Sequence, residues 1–144
     1  MATIKEDYVS FEIAKLLKEK GFNERLLTFY ITDEAKKEGY FQLMAFTDDK
    51  IDNNHSDHCY LAPTLQMAMK WLREKHLILY IIYPNLESGE LSFSWRIYKL
   101  EQDKKHYVEE LPGIGEYYKD SDESFTTYKK AEESLIKYCL ENLI

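Results

Sequence analysis

The stretch from Leu61 to Leu100 constrains the fold of this chain more than any other. It reads LAPTLQMAMKWLREKH, then LILYIIYP, then, after a short turn, ELSFSWRIYKL. In the first segment Leu65, Ala68, Met69 and Leu72 recur at helical spacing and define a buried stripe. Lys70, Arg73, Glu74 and Lys75 fill the wet side, and Trp71 flanks the stripe. This helix is expected to begin near Pro63 or Thr64, proline being tolerated in the first turn. LILYIIY, from Leu77 to Tyr83, has no polar alternation, which predicts a strand covered on both faces or a central strand. Pro84 cannot donate to a ladder and ends it. After a turn through Ser88 and Gly89, Leu91, Phe93, Trp95 and Ile97 alternate with Ser92, Ser94 and Arg96, the pattern of a half-buried strand.

The same reasoning extends to both ends. Ser10 is a good N-cap for a helix over about Ser10 to Lys20, with Ile13, Leu16 and Leu17 on one side. Gly21 fits the left-handed position past its end, and Phe22 is placed to close on Leu17. Two strands are expected, about Leu26 to Thr32 and Tyr40 to Thr47, joined as a hairpin across the polar DEAKKEG. DDKIDNNHSD, from Asp48 to Asp57, reads as a surface loop. A further strand is expected near His106 to Val108, and Leu111 to Ser124 reads as a long exposed connection. The last helix runs from about Thr127, with Ala131, Leu135, Ile136, Cys139, Leu140 and Leu143 on a broad apolar face. The order α-β-β-α-β-β-(β)-α predicts an α+β fold, a mainly antiparallel sheet with three helices packed largely on one face. At 144 residues the chain is one domain's worth, so residues 1–144 are expected to form a single globular domain.

Charge narrows the function. A net charge of −7 gives the chain no general attraction to a phosphate backbone, so sequence-independent nucleic-acid binding is disfavoured. Its two cysteines, Cys59 and Cys139, lie far apart in sequence and nothing points to an oxidising compartment. The start lacks a basic region followed by an apolar signal core, and no apolar run approaches a membrane span. A cytoplasmic, membrane-free protein is expected. Twelve tyrosines and seven phenylalanines stand out; such residues line sheet faces and core margins, and they also build contact surfaces.

Reactive chemistry has few places to reside. In the loop ahead of Cys59, the run His55-x-x-His58-Cys59 places three competent metal ligands close together, with Asp52 and Asp57 nearby. Zinc needs a fourth ligand or an open position, and no second ligand pair stands at a recognisable spacing. Calcium fits worse, because Asp57 stands where the loop needs glycine and Pro63 where it needs a bidentate glutamate. A solvated polar loop is the simpler reading, so no metal or other cofactor is expected, with His55, His58 and Cys59 the candidates if one binds. No nucleophile elbow accompanies the serines and histidines. Cys139 reads as a small core residue, and the pairs Glu109-Glu110 and Glu132-Glu133 as solvated carboxylates. Gly113-x-Gly115 lacks the third glycine, the lysine and the following helix of a phosphate loop. Lys70, Arg73 and Lys75 with Trp71 form a local basic face that amphipathic helix geometry already explains.

APTLQMAMKWLREKH and the closing YKKAEESLIKYCLENLI, together with SFEIAKLLKEKGF near the start, resemble a family of small uncharacterised proteins of gut anaerobic bacteria, often carried in prophage or mobile-element settings. The resemblance spans the three expected helices. It implies a bacterial, phage-linked accessory protein and carries over no catalytic residue; the histidine-bearing loop lies outside it.

With strong fold-forming segments, no reaction signature and many aromatics, the chain is expected to be a non-enzymatic interaction module, binding a protein partner or itself through a surface. The alternatives are a small metal-binding protein or enzyme built on His55, His58 and Cys59, and a nucleic-acid-associated protein using the basic face of the middle helix.

Overall fold

Ser10 ends the extended N-terminal segment by accepting, through Oγ, the N–H of Ile13 at 3.3 Å, and α1 (Phe11–Glu19) follows. Its far end closes as the sequence predicts. Gly21 takes φ +89°, Gly21 N–H donates to Lys18 C=O at 3.2 Å and Phe22 N–H to Leu17 C=O at 2.9 Å. That pair of bonds satisfies carbonyls the helix leaves open, and Leu17 and Phe22 are both fully buried. The computed structural model describes residues 4–32, 41–45, 50–86, 89–100 and 117–144. The expected strand near His106, the pair Glu109-Glu110, the Gly113-x-Gly115 segment and the connection DEAKKEG lie outside these residues.

The chain divides into two compact units, Met1–Ala68 and Met69–Ile144. The first holds α1, β1 (Thr28–Thr32), β2 (Phe41–Ala45), β3 (Cys59–Leu61) and the first turn of α2 (Leu65–His76). Its sheet has the order β2-β1-β3 with both pairings antiparallel, Tyr30 standing opposite Leu43 on one side and Tyr60 on the other. The hairpin expected from the two β-rich segments is β1 with β2. β3 is an addition: the chain leaves the polar loop and pairs at once with β1, and α1 packs against it. Val9, Ile13, Ala14, Leu17, Phe22, Phe29 and Leu61 form this unit's core.

Within α2 the stripe Leu65, Ala68, Met69 and Leu72 is buried as its spacing requires. Thr64 is the cap, its Oγ1 accepting from Met67 N–H at 3.2 Å. Pro63 therefore sits before the cap rather than in the first turn, and its carbonyl accepts from Val9 N–H at 3.0 Å. Trp71 is only 8% exposed, deeper than a residue flanking the stripe, and its indole meets the His76 ring edge-on at 4.5 Å.

The second unit continues with β4 (Ile78–Asn85), β5 (Ser92–Lys99), β6 (Tyr117–Asp120) and α3 (Tyr128–Asn142). β4-β5-β6 is an antiparallel sheet, with α3 packed on β5 and β4. The fold is α+β and antiparallel, in the predicted order with β3 added and the strands shared between two sheets. Three expectations fail here, the first being that Pro84 ends its strand: β4 runs on through Pro84, opposite Phe93, to Asn85, opposite Ser92. LILYIIY is not a central or doubly covered strand: β5 is central, and β4 leaves Leu79 and Ile81 exposed at 41% and 51%. Part of the predicted exposed connection is instead strand, since β6 pairs with β5.

Candidate functional site

Side chains alternate across a strand, so pairing fixes which residues share each face of the second sheet. One face packs against α3. Trp95 Nε1 donates to Ser134 Oγ at 3.2 Å and its ring lies 5.2 Å from that of Tyr138. Phe93 meets Tyr128 edge-on at 6.0 Å, and Lys99 Nζ donates to the carbonyl of Leu143. Ile97 is fully buried between these anchors in the strand. These contacts hold β5 against the helix. On its opposite, outward face Ser92, Arg96 and Tyr98 are half-buried and Ser94 is buried, so the exposed residues of that face, Leu79 and Ile81, lie on β4.

That outward face is built from the facing pairs Leu79↔Tyr98, Ile81↔Arg96, Tyr83↔Ser94 and Asn85↔Ser92. Arg96 occupies its middle. Its Nε donates to Asp120 Oδ1 at 2.7 Å and its Nη2 reaches Asp120 Oδ2 at 3.5 Å, a two-pronged pairing between β5 and β6. The guanidinium carbon lies 5.9 Å from the Tyr83 ring centroid, within cation–π range. Asn85 Nδ2 donates to Ser94 Oγ at 2.6 Å, which ties the end of β4 to β5. Beyond the last facing pair, outside the strands, Leu86 and Leu91 are 76% and 54% exposed, with Leu91 on the side of Phe93 and Trp95 by alternation. The result is an apolar and aromatic face with one arginine held in a fixed direction, whose charge is matched by its own neighbour. Arginine and tyrosine are among the residue types enriched where protein contacts carry most of their energy.

The predicted metal candidates do not come together. His55 and His58 are exposed, whereas Cys59 enters β3 and is 7% exposed. The carbonyls that border this turn, Ser56 C=O and Cys59 C=O, each accept from Lys18 Nζ at 2.8 Å, and the same ammonium lies 4.7 Å from the Tyr60 ring centroid. A fixed cation therefore already stands beside Cys59. Burial pushes the Cys59 thiol up, with the Lys18 charge and the Ser56 hydrogen bond opposing. Among the described residues no three His, Cys, Asp or Glu side chains gather where a metal ion would fit. Cys139 is fully buried, and burial pushes its thiol up to about 12.

Lys70, Arg73 and Lys75 are exposed along α2, Lys70 lying 4.0 Å from Glu74. Glu132, expected to be solvated, is 8% exposed on α3. The phenols of Tyr80 and Tyr128 are both raised, first by burial and then by the Glu132 carboxylate, with Arg73 opposing the shift at Tyr80. The outward face is what sequence reasoning missed. Its signal was present in LILYIIYP, a strand without a charge, but an uncharged strand is read as buried.

Among the described residues no helix is long and apolar enough to cross a membrane. Comparison with protein-family models, curated proteins and solved structures finds no match to the chain.

Proposed function

We propose that this chain is a non-enzymatic interaction module that engages a protein partner through the outward face of its second sheet. The observation that carries the reading is the exposure of Leu79 and Ile81 beside Arg96, on a strand pair whose other face is packed. A solvated sheet face is ordinarily polar, and contiguous apolar area rimmed by polar groups marks a contact surface. The Arg96–Asp120 pairing and the Tyr83 ring beneath the guanidinium reduce the rotamer freedom that binding would otherwise remove. The proposal includes a cytoplasmic setting and the phage- or mobile-element-linked accessory role that the resemblance of the three helices implies.

Selection of a random-peptide display library against the wild-type protein tests this. Selected peptides are expected to lose at least about tenfold in affinity on Tyr98→Ala or Arg96→Ala, which corresponds to about 1.4 kcal/mol. Both variants should keep the wild-type circular dichroism spectrum. Peptides that bind both variants as well as wild type would place the contact surface elsewhere and remove the reading.

A further inference from the structure

β4 has one strand neighbour among the described residues, β5, so its other edge carries a row of backbone groups that the sheet does not use. Which groups these are follows from the ladder. Leu100 N–H donates to Leu77 C=O at 3.0 Å, and antiparallel pairs alternate between bonded and non-bonded. Leu79, Ile81, Tyr83 and Asn85 therefore spend their N–H and C=O on β5, while Ile78, Tyr80, Ile82 and Pro84 turn theirs to the free edge. Ser121 N–H donating to Trp95 C=O at 2.9 Å fits the complementary alternation on the β6 side of β5. Ile78 is fully buried, so its edge groups are covered already. Pro84 has no N–H. The usable edge is Tyr80 and Ile82, each with one donor and one acceptor.

Edges of this kind are ordinarily blunted by lysine, by an inward charge or by a bulge. From Ile78 to Asn85 the strand reads ILYIIYPN and carries no charge at all. We propose that β4 pairs antiparallel with β4 of a second copy of this chain, about a two-fold axis at Ile81. In that register Tyr80 faces Ile82 of the other copy, and all four edge groups on each strand find a partner. Pro84, which lacks a donor, falls opposite Ile78, whose groups are covered. Centring on Ile82 would instead set Tyr80 against Pro84 and leave a carbonyl unmatched. Centring on Tyr80 would demand the covered groups of Ile78.

The side chains agree with the register. Ile81 meets its own copy and Leu79 meets Tyr83, all on the outward face, so the two faces join into one. A net charge of −7 opposes self-association in general, but the uncharged β4 brings no like charges together at the contact. The same edge would accept an extended segment of another protein; the absence of any charge on β4 and the two-fold match of its donors, acceptors and proline favour a second copy. The inference rests on reading the second sheet as the contact element, and it adds the partner.

Sedimentation equilibrium of the full-length chain is expected to give twice its 17.2 kDa mass, dissociating on dilution. Ile81→Lys is expected to return the mass to one chain while the far-ultraviolet circular dichroism spectrum keeps its wild-type shape, because Ile81 is 51% exposed in the single chain. Register is read by oxidation. Residues opposite each other in a non-bonded antiparallel pair lie about 4.5 Å apart, within disulfide reach, so Ile81→Cys should form a covalent dimer. Leu79→Cys, at a position also exposed (41%) but opposite Tyr83, should not, and the native Cys59 and Cys139 are buried. A wild-type chain that stays monomeric at its highest soluble concentration overturns the proposal, and so does cross-linking of Leu79→Cys as readily as Ile81→Cys. If that monomer still selects peptides sensitive to Arg96→Ala, the interaction reading stands and only self-pairing is lost.

Discussion

The side-chain amide of Asn53 donates to the backbone carbonyl of Phe22 at 2.5 Å, joining the polar loop to the end of α1. The same amide oxygen accepts from Leu61 N–H at 3.0 Å, at the end of β3, and Asn53 N–H donates to Asn23 Oδ1 at 2.8 Å. One residue, 7% exposed, thus ties helix, loop and strand together. Asn53→Ala removes two side-chain hydrogen bonds made to buried backbone groups, each loss costing about 1–2 kcal/mol. The expected loss is roughly 2–4 kcal/mol, measured by chemical denaturation. A loss under about 1 kcal/mol would mean that water replaces the amide and that the loop is not organised through it.

Asn53 also marks where sequence reading stops. Ser10 and Gly21 were legible because caps are local: each acts on the N–H or C=O of residues a few positions away. Thr127 Oγ1 accepts from Lys130 N–H at 3.1 Å and begins α3 where its apolar spacing says it should. The partners of Asn53 lie 8 and 31 positions off, so DDKIDNNHSD reads as solvated although Ile51 and Asn53 are buried in it. LILYIIYP fails for a different reason. Whether an apolar strand is central or at an edge depends on sheet order, which no local pattern encodes. The conflict between its composition and its exposure is the kind that collects at functional surfaces, and there the candidate face lies. Of the predicted site residues, Cys59 could be placed only once β3 was known, because the alternation of a strand turns Cys59 inward while His58 stays out.

The stripe on α2 has a direct test. Leu72 is 1% exposed, and its truncation leaves a cavity as well as losing apolar burial. Leu72→Ala is expected to cost on the order of 2–5 kcal/mol in denaturant unfolding. Met67, three residues from the cap and 39% exposed, is the control; Met67→Ala should change stability by less than about 0.5 kcal/mol. Equal losses at the two positions would show the helix packed on a different face.

His76 predicts a pH dependence. Burial lowers its pKa below the usual 6.5, and the nearby Lys99 ammonium lowers it further. The unfolded chain then binds a proton at a pH where the folded protein does not, so folding loses stability as pH falls through 6.5 and downward to the folded value. Above 6.5 the group contributes no pH dependence. Thermal midpoints of wild type and His76→Gln between pH 8 and 5.5 are expected to run parallel above about 7 and to diverge below about 6.5, the variant falling less. Parallel curves throughout would mean that the imidazole takes up its proton equally in both states.

Leu77 joins α2 to β4 in a single residue, with φ +53°. For a side chain with a Cβ this left-handed conformation costs about 1–2 kcal/mol, and the structure retains it because Leu77 C=O accepts from Leu100 N–H at the first rung of the β4–β5 ladder. The strain makes an unusual ordering testable. Glycine in ordinary strand or helix is less stable than alanine by about 0.5–1 kcal/mol. At position 77 both substitutions remove the half-buried side chain, but only glycine relieves the backbone. Leu77→Gly should therefore be more stable than Leu77→Ala by about 1 kcal/mol, and Leu77→Val, branched at Cβ, should be the least stable of the three. If alanine proves the more stable, the turn does not hold the left-handed conformation in solution, and the register that places Tyr80 and Ile82 on the free edge loses its anchor.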